Sequence, residues 1–267
     1  MVSKSIFDSF NRELNNYVKN LTVSDFQTQM AIVQNEFHAE QVAENCAIIG
    51  NALELSAEEL FMARLIATLH DIGRFNQIAS NIIEGEGTTK DHAESGIEII
   101  SNFESFNELN EAEQRILTTT IWHHNKPEIP KNEDRYVLFY LKLLRDADKI
   151  DSMRLTAEYL IDHKARSKVF LGRKFAKNPK VSKSVYDTII KGSIPLKNSI
   201  NSLHEYILYQ LAWVFDMNFR KSYHILNNKQ YIKNLFKYLP KNDANINIYR
   251  IVKIYVDNQL FSVNTYS

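Results

Sequence analysis

Leu69-His70-Asp71-Ile72-Gly73-Arg74 follows Leu60-Phe61-Met62-Ala63-Arg64-Leu65-Ile66-Ala67-Thr68, an apolar run broken by one charge and one hydroxyl. A helix this apolar is buried over most of its surface. An imidazole and a carboxylate therefore arrive together in the interior, where leaving either unpartnered costs on the order of a few kcal/mol or more. A divalent metal ion is the most economical partner, because neutral imidazole and ionised carboxylate both ligate such ions. The other ligands must come from elsewhere in the chain.

Working outward, Ser56-Ala57-Glu58-Glu59 has the pattern of a capping box and starts the buried helix. Upstream, the periodicity predicts a helix from Ser3 to Lys19. A second helix, capped by Ser24, contains Ile32, Val33, Phe37, His38, Val42 and Ile49. Downstream, Glu84-Gly85-Glu86-Gly87-Thr88-Thr89 reads as a loop. A helix from about Asp91 then places His92 in its first turn, and Gly96 one turn on, where a missing side chain admits another backbone or a ligand. Asn110-Glu111-Ala112-Glu113 starts the next helix, which runs through Ile116, Leu117, Thr120 and Ile121 to Trp122-His123-His124-Asn125 and ends at Pro127 and Pro130. From Asp134 to His163 a long helix carries the stripe Val137, Leu141, Leu144, Asp148, Asp151 and Leu155, so two carboxylates interrupt an apolar face, and Asp146 falls off it.

Apolar residues recur mostly at spacings of three and four, and few Gly or Pro punctuate the chain, so the fold class is all-α. The expected organisation is a metal-binding helical core over 1–163, a basic loop-rich segment over 164–183 and additional C-terminal helices over 184–267, packed on the same domain. The basic segment holds Lys164, Arg166, Lys168, Arg173, Lys174, Lys177, Lys180 and Lys183 with no Asp or Glu between them. It reads as a solvated loop or as a lid over an anionic substrate. Across the whole chain 32 basic residues balance 32 acidic ones, so no global field draws it to nucleic acid or to an anionic membrane. Cys46 is the single cysteine, which excludes an intrachain disulfide and a Cys-rich zinc site. No run approaches the roughly 20 apolar residues of a membrane span, and the expected location is cytoplasmic.

His38, His70-Asp71, His92, His123-His124 and Asp148 come from five separate helical segments, a distribution that suits a site in a bundle core. The order His, His-Asp, His, His, Asp, with His70-Asp71-Ile72-Gly73-Arg74 and Asp146-Ala147-Asp148-Lys149-Ile150-Asp151, resembles the HD-domain superfamily of metal-dependent phosphohydrolases. The resemblance covers about His38 to Asp151 and implies an HD-type helical bundle. It also implies that His38, His70, Asp71 and Asp148 hold one ion, and that Asp71, His92 and His123 or His124 hold a second. Of that adjacent pair His123 is favoured, since neighbours on a helix point about 100° apart and one of the two faces elsewhere. His124 is followed by Asn125-Lys126-Pro127-Glu128-Ile129-Pro130, without the Gly-Tyr-Pro element of the cyclic-dinucleotide branch. Gln34, four before His38, stands where some of the enzymes it resembles have Glu, and that departure argues against a third ion.

The activity this implies is hydrolysis of a phosphoester, in a nucleotide or similar small phosphorylated metabolite, by hydroxide bridging two divalent ions about 3.5–4 Å apart. Asp71 is the expected bridge, and Arg74, Lys126 and Lys149 are candidates for holding phosphate oxygens. Manganese or iron is favoured; His and carboxylate ligands also accept cobalt, nickel, magnesium and zinc. The expected partner is a small anionic phosphorylated substrate, not a membrane or a nucleic acid, and self-association stays open. Two other readings use the same residues: a di-iron oxygenase of the inositol-oxygenase-like branch, and a non-catalytic nucleotide-binding or interaction module. Asp146 and Asp151 are read as salt-bridge partners or supports of the ligands.

Overall fold

A computed structural model of the chain describes residues 2–21, 23, 25–80, 90–161, 169–170, 173–174 and 180–261. They form two compact units, Met1–Asp148 and Lys149–Ser267. The fold is all-α, except for a two-residue antiparallel pairing of β1, Val169–Phe170, with β2, Arg173–Lys174. None of the described helices is long and apolar enough to cross a membrane.

The first unit begins with α1, Lys4–Lys19, whose first turn is capped by Ser3. The second helix, α2, is Phe26–Ala52. Its cap is Asp25, which accepts from the Thr28 backbone N–H at 2.8 Å; Ser24, the expected cap, lies outside the described residues. The capping box at Ser56 and Glu59 forms and starts α3, Ala57–Leu69. In α3, Leu65, Ala67 and Leu69 are wholly buried, and a fully buried Leu contributes about 1.5–3 kcal/mol. α2 packs along α3, and α1 and α4, Ile72–Ala79, pack on this pair. The periodicity did not predict α4. Gly85 and its neighbours in the expected loop lie outside the described residues.

Asp91 caps α5, His92–Ser101, which packs against α4. Their approach is set by two glycines: a Cβ on Gly73 would lie 2.1 Å from the His92 carbonyl oxygen, and one on Gly96 3.4 Å from the Gly73 nitrogen. The close contact expected at Gly96 is thus a helix crossing. A second capping box, Asn110 with Glu113, starts α6, Glu111–His123. The long helix α7, Arg135–Ile161, buries Val137, Leu141 and Leu144 as expected, and also Asp146. Within the first unit α2 is tied to α7 by Asn45 Nδ2, which donates to the Ala147 carbonyl at 3.3 Å.

Among the described residues the second unit contains the end of α7 and five α-helices: α8 Lys183–Ile190, α9 Leu203–Ala212, α10 Arg220–Asn228, α11 Tyr231–Phe236 and α12 Asp243–Phe261. Ile207, Leu208, Leu211, Val252 and Val256 form its core. Two short helical patterns were expected after α9; three helices occur, the last of 19 residues. Glu205 closes the start of α9, accepting backbone N–H bonds from Ser182 and Asn201 at 2.8 Å each and from Ser202 at 3.2 Å. The basic residues Lys164, Arg166, Lys168 and Lys177, and with them most of the expected lid, lie outside the described residues.

Candidate metal centre

Helix ends position most of the cluster. His70 is the C-cap of α3 and Asp71 the N-cap of α4, so the pair stands at the junction of two helices. His92 opens α5, and His124 is the C-cap of α6. His38 lies in the middle of α2 and Asp148 on α7. An N-cap aspartate ordinarily accepts a hydrogen bond from the first turn of its own helix, which satisfies one of that turn's unpaired N–H groups. Asp71 makes no such bond, and its carboxylate is spent on the cluster instead.

The two oxygens of Asp71 divide their neighbours. Oδ2 accepts from Arg74 Nε at 2.7 Å and lies 3.6 Å from His70 Nε2 and 4.0 Å from His38 Nε2. Oδ1 lies 3.2 Å from His92 Nε2 and 3.5 Å from His124 Nε2. The result is two buried groups of donor atoms, His38 with His70 and Asp71, and Asp71 with His92 and His124. Asp148 adds a carboxylate to the first group, its Oδ1 3.3 Å from His38 Nε2.

The backbone fixes the histidine tautomers. His70 Nδ1 is 2.6 Å from the Ala67 carbonyl oxygen, and His124 Nδ1 is 2.6 Å from that of Ile121. A carbonyl oxygen only accepts, so in both rings Nδ1 carries the proton and Nε2 keeps its lone pair. His70 Nε2 and Asp71 Oδ1 are buried without a hydrogen-bond partner, and His124 Nε2 faces His92 Nε2 at 3.2 Å. Converging lone pairs and carboxylate oxygens repel one another until a cation sits among them. The donors are imidazole nitrogen and carboxylate oxygen, so the residues fit a divalent first-row ion.

The protonation states agree with this. Burial alone would raise the Asp71 pKa, but the Arg74 guanidinium beside it holds it well below the usual carboxylate range. Burial likewise works against the Asp148 carboxylate, and His38 more than offsets it, leaving that pKa lowered. For His70, burial pushes the imidazole down and favours the neutral ring. Ionised carboxylates and neutral imidazole are the forms that ligate metal.

The structure separates the remaining candidates. His124, not the favoured His123, joins the cluster: the Ile121 carbonyl anchors its ring inward, while His123 is half-buried and belongs to neither group. Arg74 is in direct contact with Asp71. Lys126 pairs with Asp91 and lies over the Trp122 ring, 5.0 Å from its centroid. Lys149 donates to the main-chain oxygen of Asp216 at 3.0 Å and to its carboxylate, both within the second unit. Asp151 pairs with Arg154 at 2.6 Å, as a salt-bridge partner should.

Three supporting residues escaped the sequence reading. Asp91 and Asn125 connect the start of α5 to the turn after α6, where Asn125 Nδ2 donates to Asp91 Oδ1 at 2.6 Å. Buried Arg145 donates to the carbonyls of His124 at 3.5 Å, Lys126, and Pro127 at 3.4 Å, holding the same turn from α7. Asp91 and Asn125 stand immediately beside candidate ligands, and that adjacency was the available signal; Arg145 offered none.

Comparison with known families finds one likeness for the segment that carries these residues. The family model described as HD domain matches residues 36–153, from α2 into α7. Searches of curated proteins and of solved structures give no match. The matched segment contains His38, His70, Asp71, His92, His124 and Asp148, so over these residues the chain is similar to the HD domain, an all-α fold, and its His/Asp cluster is compatible with a metal site of that family.

Proposed function

We propose that this protein hydrolyses a phosphoester of a nucleotide or similar small phosphorylated metabolite at a centre holding two divalent ions. The observation that supports it is the Asp71 carboxylate, with Oδ2 toward His38 and His70 and Oδ1 toward His92 and His124. In this reading His38, His70, Asp71 and Asp148 hold one ion, and Asp71, His92 and His124 hold the other. Divalent ions so bound bring the pKa of water toward neutrality and neutralise the charge of a phosphoryl group.

The chain's own residues supply preorganisation. His70 and His124 present Nε2 lone pairs because backbone carbonyls hold their Nδ1 protons, so neither ring has to change tautomer. Arg74 keeps Asp71 ionised and puts a guanidinium at the margin of the cluster, where it can meet phosphoryl oxygens. Lys126 and Lys149 are each paired with a carboxylate, so either one takes part only by exchanging Asp91 or Asp216 for the substrate. No side chain is required as nucleophile.

The test is release of phosphate or nucleoside from mono-, tri- and cyclic nucleotides by protein loaded anaerobically with manganese or iron, beside Asp71→Ala. Turnover by the parent and none by the variant supports the proposal. Silence of the loaded parent across the panel overturns it.

A further inference from the structure

Asp91 makes more contacts around the centre than capping α5 requires. Its Oδ1 accepts the Ala93 backbone N–H at 2.9 Å, which is the cap, and also Asn125 Nδ2 at 2.6 Å. Its Oδ2 accepts from Lys126 Nζ. Oδ1 also lies 3.6 Å from His92 Nδ1, and Asn125 Nδ2 is 3.4 Å from His92 Nε2. One carboxylate thus joins the segment that begins with His92 to the two residues that follow His124. These are the imidazoles whose Nε2 atoms stand 3.2 Å apart. The ligands of the first group come from α2, the α3–α4 junction and α7, and Asp91 makes no hydrogen bond to them among the described residues.

We infer that Asp91 is a positioning residue, a clasp between the starts of α5 and of the turn after α6, that sets the second ion's affinity independently of the first. The inference rests on the two-ion reading above. The physical reason is that His92 and His124 are not neighbours in sequence, and each sits at the end of a helix. Their separation depends in part on what ties those ends to each other, and outer partners of metal ligands typically govern about 10–100-fold in affinity.

The experiment counts ions in the full-length protein. Wild type, Asp91→Asn and Asn125→Ala are titrated with manganese(II) by equilibrium dialysis, with electron paramagnetic resonance reporting exchange coupling between paired ions. Asn caps a helix as well as Asp does, and Arg145 still holds the turn, so Asp91→Asn keeps the fold, checked by circular dichroism. Asn125→Ala opens the clasp from its other side and leaves the cap intact, so it decides the matter if Asp91→Asn does not fold. The expected result is a first ion bound as in wild type, a second weakened about 10–100-fold, and loss of the coupled signal at limiting metal. Second-ion affinity equal to wild type in the folded variants overturns the clasp. A wild-type chain that holds only one ion overturns the two-ion reading itself.

Discussion

Gly73 lies against His92 so closely that a Cβ on Gly73 would stand 2.1 Å from the His92 carbonyl oxygen. The glycine two residues after Asp71 is therefore what lets α4 carry Asp71 up to α5 and His92. The obstacle is backbone, which cannot rotate aside as a side chain can. Gly73→Ala is expected to destabilise the first unit by at least about 2 kcal/mol in urea unfolding, since overpacking against fixed atoms costs that much or more. Gly96→Ala is expected to cost less, because its nearest neighbour is the Ile72 Cγ2 methyl at 3.2 Å. The reverse order would show that the α4–α5 crossing is not the constraint.

The adjacent histidines are separable by metal affinity. His124→Ala is expected to weaken the second ion by more than about 100-fold, as loss of a direct ligand exceeds loss of an outer partner, while His123→Ala changes it by less than about threefold. Equilibrium dialysis with manganese decides. Comparable losses in both variants would mean that the Ile121 carbonyl does not fix which ring faces inward.

Asp71 is shared between both groups, so its removal is expected to act on both ions. In Asp71→Ala neither ion binds at concentrations that saturate the parent, whereas His38→Ala leaves the Asp71, His92 and His124 group intact. Retention of one tightly held ion in Asp71→Ala would show that the carboxylate is not the common ligand.

Glu205 gives the second unit a pH dependence. Burial would raise its pKa, but backbone N–H bonds from Ser182, Asn201 and Ser202 outweigh burial and hold it below the ordinary value. A carboxyl whose folded pKa is depressed stabilises fully above the unfolded pKa, and loses that contribution as the pH falls through the folded one. Glu205→Gln is therefore expected to cost about 1–2 kcal/mol at pH 7, with the gap to wild type closing on acidification below the usual Glu range of about 4.3. A gap that widens at low pH would contradict the sign. Thermal melts at several pH values measure it.

Much of the helical framework was legible because it is written in local chemistry. The boxes Ser56 with Glu59 and Asn110 with Glu113 announce α3 and α6, and each forms as its spacing demands. Likewise α4 escaped because it is only eight residues long, and its N-cap Asp71 gives no capping bond to announce it. Asp146 read as lying off the core stripe of α7, yet it is fully buried. A periodicity argument sees one face of a helix and not what surrounds the others.

The sequence by itself determined the helical class, the order His, His-Asp, His, His, Asp, and the necessity of a partner for a histidine and a carboxylate at the end of an apolar helix. These follow from period, capping and the cost of burying polar groups, all of which are local. Only the tertiary structure decided that His124 and not His123 turns inward, that the two oxygens of Asp71 face different histidine pairs, and that Asp91 clasps the ends of two helices. Those depend on distances between segments tens of residues apart, and such distances are set by packing and by glycine crossings rather than by any local pattern of residues.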